Sequence, residues 1–281
     1  MAFKDILIHL DSTKSSKDKA EVAIALAKRQ DARLVGVALA LRSTISSYLG
    51  VEFPAGLNEQ QQAIVQAAAQ SAVENFESAA KSAGVDCSSR IIECGASKAP
   101  AQLAFHARHA DLTFMGQPNP DDDNHAFQES LLDGVLFGSG RPVYVVPYIG
   151  REIRKVRKAV IAWDGGKKAV RAVNDAIPLL QNRSEAIILV INPDERREAL
   201  GDQPGAAIAA HLQRHGIEAT VDLQVAPQAS ADALILNYMA DSGADLLVMG
   251  AYGHSRLREK AFGGVTNTIM HQMTTPVLMS E

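Results

Sequence analysis

Residues 249–270, MGAYGHSRLREKAFGGVTNTIM, place glycines at 250, 253, 263 and 264 and a threonine at 266. Glycine has no Cβ, so a glycine-rich turn lets a bulky anion approach main-chain N–H donors closely. The chemistry open to such a stretch is the holding of a polyphosphate. DLLVMG (245–250) is apolar on nearly every position and reads as a buried strand that delivers Gly250 to a sheet edge. VTNTIMHQM, after Gly263 and Gly264, has the spacing of a helix, whose first turn offers unbonded N–H groups and a positive dipole end of about half a charge. In an open parallel sheet, ligands bind beyond the carboxyl ends of the strands, where strand order reverses. Arg256, Arg258 and Lys260 lie between the glycine pairs, either adding charge near a phosphate or simply solvated on a short helix. The plain alternative for the glycines is a tight turn followed by a helix start.

Other residue types do not assemble a reaction. His211 and His215 (HLQRH) stand four apart with no adjacent Glu, and His106 with His109 (FHARHAD) makes an equally small set. Each pair gives too few ligands for a metal, so polar surface or helix-end histidines are expected. There is no GxSxG elbow and no GxxxxGK[ST] sequence. LFGSGRP (136–142) lacks the third glycine of a dinucleotide fingerprint and precedes a strand. No nucleophile, base and orienting acid converge, so no catalytic residue is expected, and a bound triphosphate would find no device for activating water.

The elements that must position the glycine stretch come from a repeat. FKDILIHLDST (3–13) matches RKAVIAWDGG (157–166), RLVGVAL (33–39) matches AIILVIN (186–192), and AGVDCSSRIIECGA (83–96) resembles HGIEATVDLQVAPQ (215–228). HADLTFMG (109–116) then matches GADLLVMG (243–250), and RPVYVVP (141–147) matches TPVLMSE (275–281). Five landmarks recur in order at a period near 130 residues, which is a duplicated domain and not a solenoid. Within each copy, short Val-, Ile- and Leu-rich runs alternate with segments of helical spacing such as KAEVAIALAKRQ (19–30) and AVRAVNDAIPLLQ (169–181). The expected fold class is α/β, with two repeated open-sheet domains, each a five-stranded parallel sheet with helices on both faces. The domains span 1–148 and 155–281. A helix over 58–83 stops at Gly84, and its counterpart around 204–215 is clearly shorter. The closing strands PVYVVP and PVLMS would leave sticky sheet edges, which pairing inside the chain covers.

The chain has 281 residues, 47% hydrophobic and 21% charged, with a net charge of −4. That balance argues against a nucleic-acid or membrane surface, since phosphate backbones and anionic lipids are held by excess Lys and Arg. GREIRKVRK (150–158) carries five basic residues but sits between two apolar segments and reads as a solvated linker. Cys87 and Cys94, seven apart on one extended segment, read as reduced packing residues. MAFKDILIHLD has no leader pattern and no run approaches a membrane span, so a cytoplasmic protein is expected.

GAYG, nine residues, then GG, resembles the G-2x-G-9x-G-[S/T] nucleotide motif of the universal stress protein family, and the whole chain is similar to its tandem two-domain members. The resemblance implies the adenine nucleotide alpha hydrolase-like fold and a stress-response protein whose C-terminal domain holds ATP, alone or with Mg2+, as a regulatory ligand. It implies Ala162, Trp163 and Asp164 at adenine, ribose and phosphate edges, Val190 near adenine, and Met249, Gly250 and Gly253 at the ribose and phosphate turn. Gly263, Gly264, Val265 and Thr266 would supply helix-terminal amides. The family's Ser or Thr after the third glycine is Gly264 here, with Thr266 placed to restore the hydroxyl. Asp164 has a second reading as the N-cap of the following helix.

The first copy has MGQPNPDDDNHAFQESLLDGVLFGSGRP in place of the glycine motif. Asn stands at 119, the interval to Asp133–Gly134 is four residues longer, and two prolines remove amide donors. Asp121, Asp122 and Asp123 fall where phosphates would sit, and like charges about 4 Å apart cost on the order of 4 kcal/mol at an effective dielectric near 20; exposed acids cost far less, so the missing turn geometry is the firmer objection. The first domain is therefore expected not to bind ATP, while Asp11 and Val37 leave room for a non-phosphate ligand. Two further functions stand beside ATP-linked regulation: an interaction scaffold of the same fold without nucleotide, and a slow ATPase using Asp164 with a metal. Members of this family pair their domains within one chain, and a homodimer is a further option; the protein partner stays open.

Overall fold

The computed structural model describes residues 2–13, 15–42, 57–149, 155–180, 184–193, 201–251 and 264–281. Its strands are β1 (Asp5–Leu10), β2 (Arg33–Arg42), β3 (Cys87–Gly95), β4 (Leu112–Gly116), β5 (Val143–Val146), β6 (Lys158–Ala162), β7 (Glu185–Ile191), β8 (Glu218–Gln224), β9 (Leu246–Gly250) and β10 (Val277–Ser280). Between them, among the described residues, run α1 (Ser15–Gln30), α2 (Leu57–Ala83), α3 (Ala99–Ala107), α4 (His125–Gly138), α5 (Lys167–Ala176), α6 (Ala206–Arg214), α7 (Ala231–Ser242) and α8 (Val265–Gln272). The expected alternation of strand and helix is present in both copies. The two five-stranded sets, however, form one ten-stranded sheet in the order β3-β2-β1-β4-β5-β10-β9-β6-β7-β8. All neighbours are parallel except β5 and β10, which pair antiparallel through Val145↔Val277, Tyr144↔Leu278 and Val143↔Met279.

Strands apolar on consecutive positions must bury both faces, and helices supply the cover. One core layer gathers Ala23 and Leu26 of α1, Phe76 of α2, Ala172 and Val173 of α5 and Leu212 of α6 against one face of the sheet. The other gathers Leu103 of α3, Leu131 and Val135 of α4, Ile235 of α7 and Ile269 of α8 against the opposite face. Strand order reverses between β1 and β4 in the first half and between β6 and β9 in the second. Cys87 and Cys94 on β3 are free thiols, as the packing reading requires.

The duplication shows in matching side-chain roles. Asp111 Oδ2 accepts the N–H groups of Lys4 and Asp5 at 2.8 and 3.1 Å, and Asp245 Oδ2 accepts those of Arg157 and Lys158 at 2.8 and 3.2 Å. Each carboxylate ties the start of a first strand to the loop before a fourth. These pairs equate Asp5 with Lys158, an offset of 153 residues, while β9 begins 134 residues after β4. The repeat period of about 130 thus holds only for the later landmarks. The offset shrinks because α2 has 27 residues and α6 has 9. Gly84 (φ +72°) ends α2 in the left-handed conformation that glycine adopts without strain.

Two expectations about the first half are corrected. Asp133 and Gly134, aligned by sequence with Gly263 and Gly264, lie well inside α4 and not at a helix N-terminus. Gly134 is there because α3 packs against it: a Cβ at this position would come within 2.4 Å of Pro100 Cβ. The three carboxylates are also not forced together. Asp122 Oδ1 accepts the Asn124 N–H at 2.8 Å and its Oδ2 accepts Gln128 Nε2 at 3.0 Å, whereas Asp121 and Asp123 are exposed.

Substitution Gly134→Ala adds about 1 kcal/mol of helix propensity but forces α3 and α4 apart, and overpacking of this kind costs about 1–3 kcal/mol. The expected outcome is a thermal midpoint several degrees lower than that of the parent, measured by circular dichroism. An unchanged or raised midpoint contradicts the close α3–α4 packing.

Candidate functional site

The site to test is the carboxyl rim of β6 and β9, where strand order reverses in the second half. β6 pairs with β9 through Val160↔Leu247 and Ile161↔Val248, so Ala162 and Met249 end the two strands side by side. Beyond them, the Trp163 N–H donates to Leu189 O at 2.9 Å and the chain turns through Gly165 (φ +73°) into α5. Asp164 Oδ1 accepts the Gly166 N–H at 2.8 Å. The N-cap of α5 is therefore Gly166, and Asp164 closes an Asx turn just ahead of it instead of capping the helix itself.

On the other side of the rim, α8 begins at Val265 with Gly264 as its N-cap (φ −67°, ψ 156°). Gly264 O accepts the N–H groups of Asn267 and Thr268 at 2.9 and 3.2 Å, so the helix is closed from its first turn. The amides ahead of these bonds lie outside the helix's own ladder, and in α8 they start at Val265. Gly253 and Gly263, with Arg256, Arg258 and Lys260, lie outside the described residues.

Register decides which expected contacts share a face. Ala162 pairs with Leu189 across β6 and β7, and neighbours in register point the same way, so Ile191 lies on the face of Ala162 and Val190 on the opposite one. Ala162, Ile191, Met249 and Val265 all pack against one core layer. Trp163 and Val190 pack against the other. Val190 is fully buried, and its Cγ2 would lie 3.4 Å from a Cβ placed on Gly205. It offers no surface at the rim, and Ile191 is the β7 residue that does. Strand parity carried that signal in the sequence.

Two further residues differ from the expectation. Gly250 does not owe its missing Cβ to a ligand: such an atom would meet Ala169 N at 2.7 Å and Lys168 C at 2.8 Å, so the first turn of α5 occupies that space. Thr266 is 2% exposed and its side chain lies inside the fold, which removes it as a substitute for the hydroxyl missing at 264.

The corresponding rim of the first half is chemically different. The 153-residue offset equates Asp11 with Asp164 and Lys19 with Ala172. Lys19 is 1% exposed, and its Nζ donates to Asp11 Oδ2. The same ammonium would lie 3.7 Å from a Cβ on Gly116, so it occupies the end of β4. Burial pushes the Asp11 carboxyl up, but Lys19, His9 and hydrogen bonds from Lys19 and Thr13 outweigh it and hold the group well below the usual carboxylate range. Val37 is fully buried. Of the two residues expected beside a non-phosphate ligand, Asp11 is thus engaged by the protein's own cation and Val37 offers no exposed surface.

His9 Nδ1 stands 3.7 Å from Asp11 Oδ2. Burial, then the Lys19 charge, lower its pKa to about 4, against a smaller opposing effect of Asp11. The unfolded chain therefore binds more protons than the folded one between pH 6.5 and about 4, and stability falls as pH drops through that window, by at most about 3 kcal/mol. Asp11 adds its own loss only below about pH 4, where the unfolded carboxyl protonates. Denaturant midpoints measured from pH 7 to pH 4 should show this slope, and His9→Gln should flatten it; a slope unaltered by the substitution assigns the loss to other groups.

Comparison with known proteins places these features. Residues 155–280 match the family model described as the Universal stress protein family. A universal stress protein of Synechocystis is 27% identical over 149 residues, which cover 52% of this chain and 49% of that protein. The chain thus spans about half the length of this curated relative. The crystal structure of a universal stress protein from Archaeoglobus fulgidus shares the fold with a TM-score of 0.77 at 16% identity, covering 99% of this chain and 96% of that one. A functionally unknown protein from Pseudomonas aeruginosa gives a TM-score of 0.55 at 14% identity, covering 99% and 92%. The C-terminal part of the chain, residues 155–280, is thus similar to the universal stress protein family, and the whole length shares the fold of the Archaeoglobus fulgidus protein.

Proposed function

We propose that this stress protein binds ATP, alone or with Mg2+, as a regulatory ligand at the β6/β9 rim of residues 155–281, and that residues 1–148 form a second unit without that activity. The difference between the two rims carries the reading. In the first half a buried ammonium sits at the strand ends and is neutralised by Asp11. In the second half the equivalent position is Ala172, and α8 opens on Gly264 with its first amides facing away from its own carbonyls. A helix start of this kind favours an anion through both its N–H donors and its dipole. Ala162, Ile191, Met249 and Val265 offer an apolar wall for a planar base on the same face. A scaffold without nucleotide is the second reading, favoured by the burial of Val190 and Thr266 and by the close approach of α5 to Gly250.

Trp163 is the only tryptophan of the chain and stands at this rim, so its fluorescence reports occupancy. Titration with ATP, with and without Mg2+, should give a saturable change at about one nucleotide per chain. Gly264→Ser restores a hydroxyl at the N-cap and should raise affinity about tenfold or more, the worth of one hydrogen bond to a charged group. Gly264→Asp caps the helix equally well but brings a negative charge to the phosphates, so the fold should persist while binding is lost. No saturable signal and no calorimetric heat with the parent protein would establish the scaffold reading instead.

A further inference from the structure

Outside the rim, one cluster joins residues that are far apart in the sequence. His125 and Glu129 are four apart on the first turns of α4, and His271 is in the last turn of α8. Glu129 Oε1 lies 3.4 Å from His125 Nε2 and 3.4 Å from His271 Nε2, and the three ligand atoms are all within 4.8 Å of one another. The imidazole rings stand 5.6 Å apart at an interplanar angle of 65°. We propose that His125, Glu129 and His271 form a binding site for a divalent transition metal of the zinc type, linking α4 of the first half to α8 of the second.

The spacing fits a metal better than hydrogen bonds. An N–H···O bond is formed at about 2.7–3.2 Å, and both contacts to Glu129 are longer. Ligands about 2.0–2.1 Å from a tetrahedral zinc stand about 3.3–3.4 Å from one another, close to the two measured separations. His271 is also oriented for the task. Its Nδ1 lies 2.8 Å from Asn267 O, and a carbonyl only accepts, so Nδ1 carries the proton and Nε2 turns its lone pair towards Glu129. His125 Nδ1 is buried with no hydrogen-bond partner among the described residues, which leaves Nε2 as that ring's point of interaction. The His271 lone pair, the His125 Nε2 and the Glu129 carboxylate face one point, and a cation placed there would be held by all three.

The frame is rigid. Gln117 is 4% exposed; its Nε2 donates to Met270 O at 2.7 Å and its Oε1 accepts the Tyr148 N–H at 3.2 Å, which pins the end of α8 one residue before His271. The side chains of His125, Glu129 and His271 are 23%, 41% and 36% exposed, so an ion can enter from solvent and keep water in its fourth position. Two imidazoles and one carboxylate suit Zn2+, Co2+, Ni2+ or Cu2+ and not Mg2+ or Ca2+, which take oxygen ligands.

The test titrates the chelator-treated full-length chain with ZnCl2 by calorimetry and with CoCl2 by visible absorption. One equivalent should bind, Co2+ should show the intense bands of four-coordination, and Zn2+ should raise the thermal midpoint by tying the halves together. His125→Ala and His271→Ala should each lower affinity tenfold or more and abolish the midpoint shift, while His211→Ala changes neither, with circular dichroism confirming that the variants are folded. The absence of saturable binding would mean that the cluster is held by side-chain contacts alone, and binding indifferent to both histidine substitutions would place the ion elsewhere; either result overturns the proposal.

Discussion

The antiparallel seam between β5 and β10 is the constraint on which the molecule depends. Each strand has only four residues, and every one of them is buried. Left unpaired, either would be an apolar edge ready to recruit another strand. Paired, they turn two open sheets into one, set the two switch points on either side of a shared axis, and bring α4 against α8. The outermost strands need no such cover. β3 and β8 mix polar, half-exposed and exposed positions along their length, as edge strands that stay soluble do.

The seam leaves each half its own carboxyl rim, and the two have diverged through single residues. A lysine at 19 puts a charge where Ala172 leaves a methyl group. Burying an ammonium is costly unless a carboxylate and hydrogen bonds meet it, and Asp11 supplies both. Once committed, the pair makes the rim self-contained: Asp11 accepts from Lys19, and the ammonium is neutralised within the fold. Removing one partner leaves a buried unpaired charge at a cost of about 3–5 kcal/mol, so the plugged state is held by its own energetics. In the second half the Asp164 carboxylate accepts the Gly166 amide and shapes the entry to α5.

Much of the architecture was legible because it depends on local pattern. The strand runs, the long helix ending at Gly84, the shorter counterpart and the role of the closing strands all follow from periodicity, glycine and repeat matching. What stayed hidden depends on facing and on distance. Val190 and Ile191 are adjacent in an unbroken apolar strand, and only the register with Ala162 separates core from rim. Gly134 looks like half of a glycine turn until Pro100 of α3 is seen against it. Lys19 reads as one more surface lysine on an amphipathic helix, and its burial follows only from where Asp11 ends β1. The histidine pairs 106/109 and 211/215 are conspicuous in sequence, yet the three-ligand cluster found among the described residues needs His271, far along the chain from His125.

These burials shift the weight of the nucleotide reading from side chains to the main chain. With Thr266 inside the fold and Val190 in the core, few side chains remain to grip a phosphate at the described part of the rim. The amides that open α8 do not depend on side-chain identity, and a helix N-terminus needs only a residue at its cap that leaves them accessible. Gly264 does this, because its extended φ and ψ are open to any residue and it adds no atom over the first turn. A hydroxyl at that position would contribute one further hydrogen bond to a charged group, about 1.5–3 kcal/mol. Its loss would weaken a phosphate complex by roughly ten- to a hundredfold without dismantling the geometry on which such a complex depends, because its affinity would be a sum over several backbone donors and a dipole, of which the hydroxyl would be one.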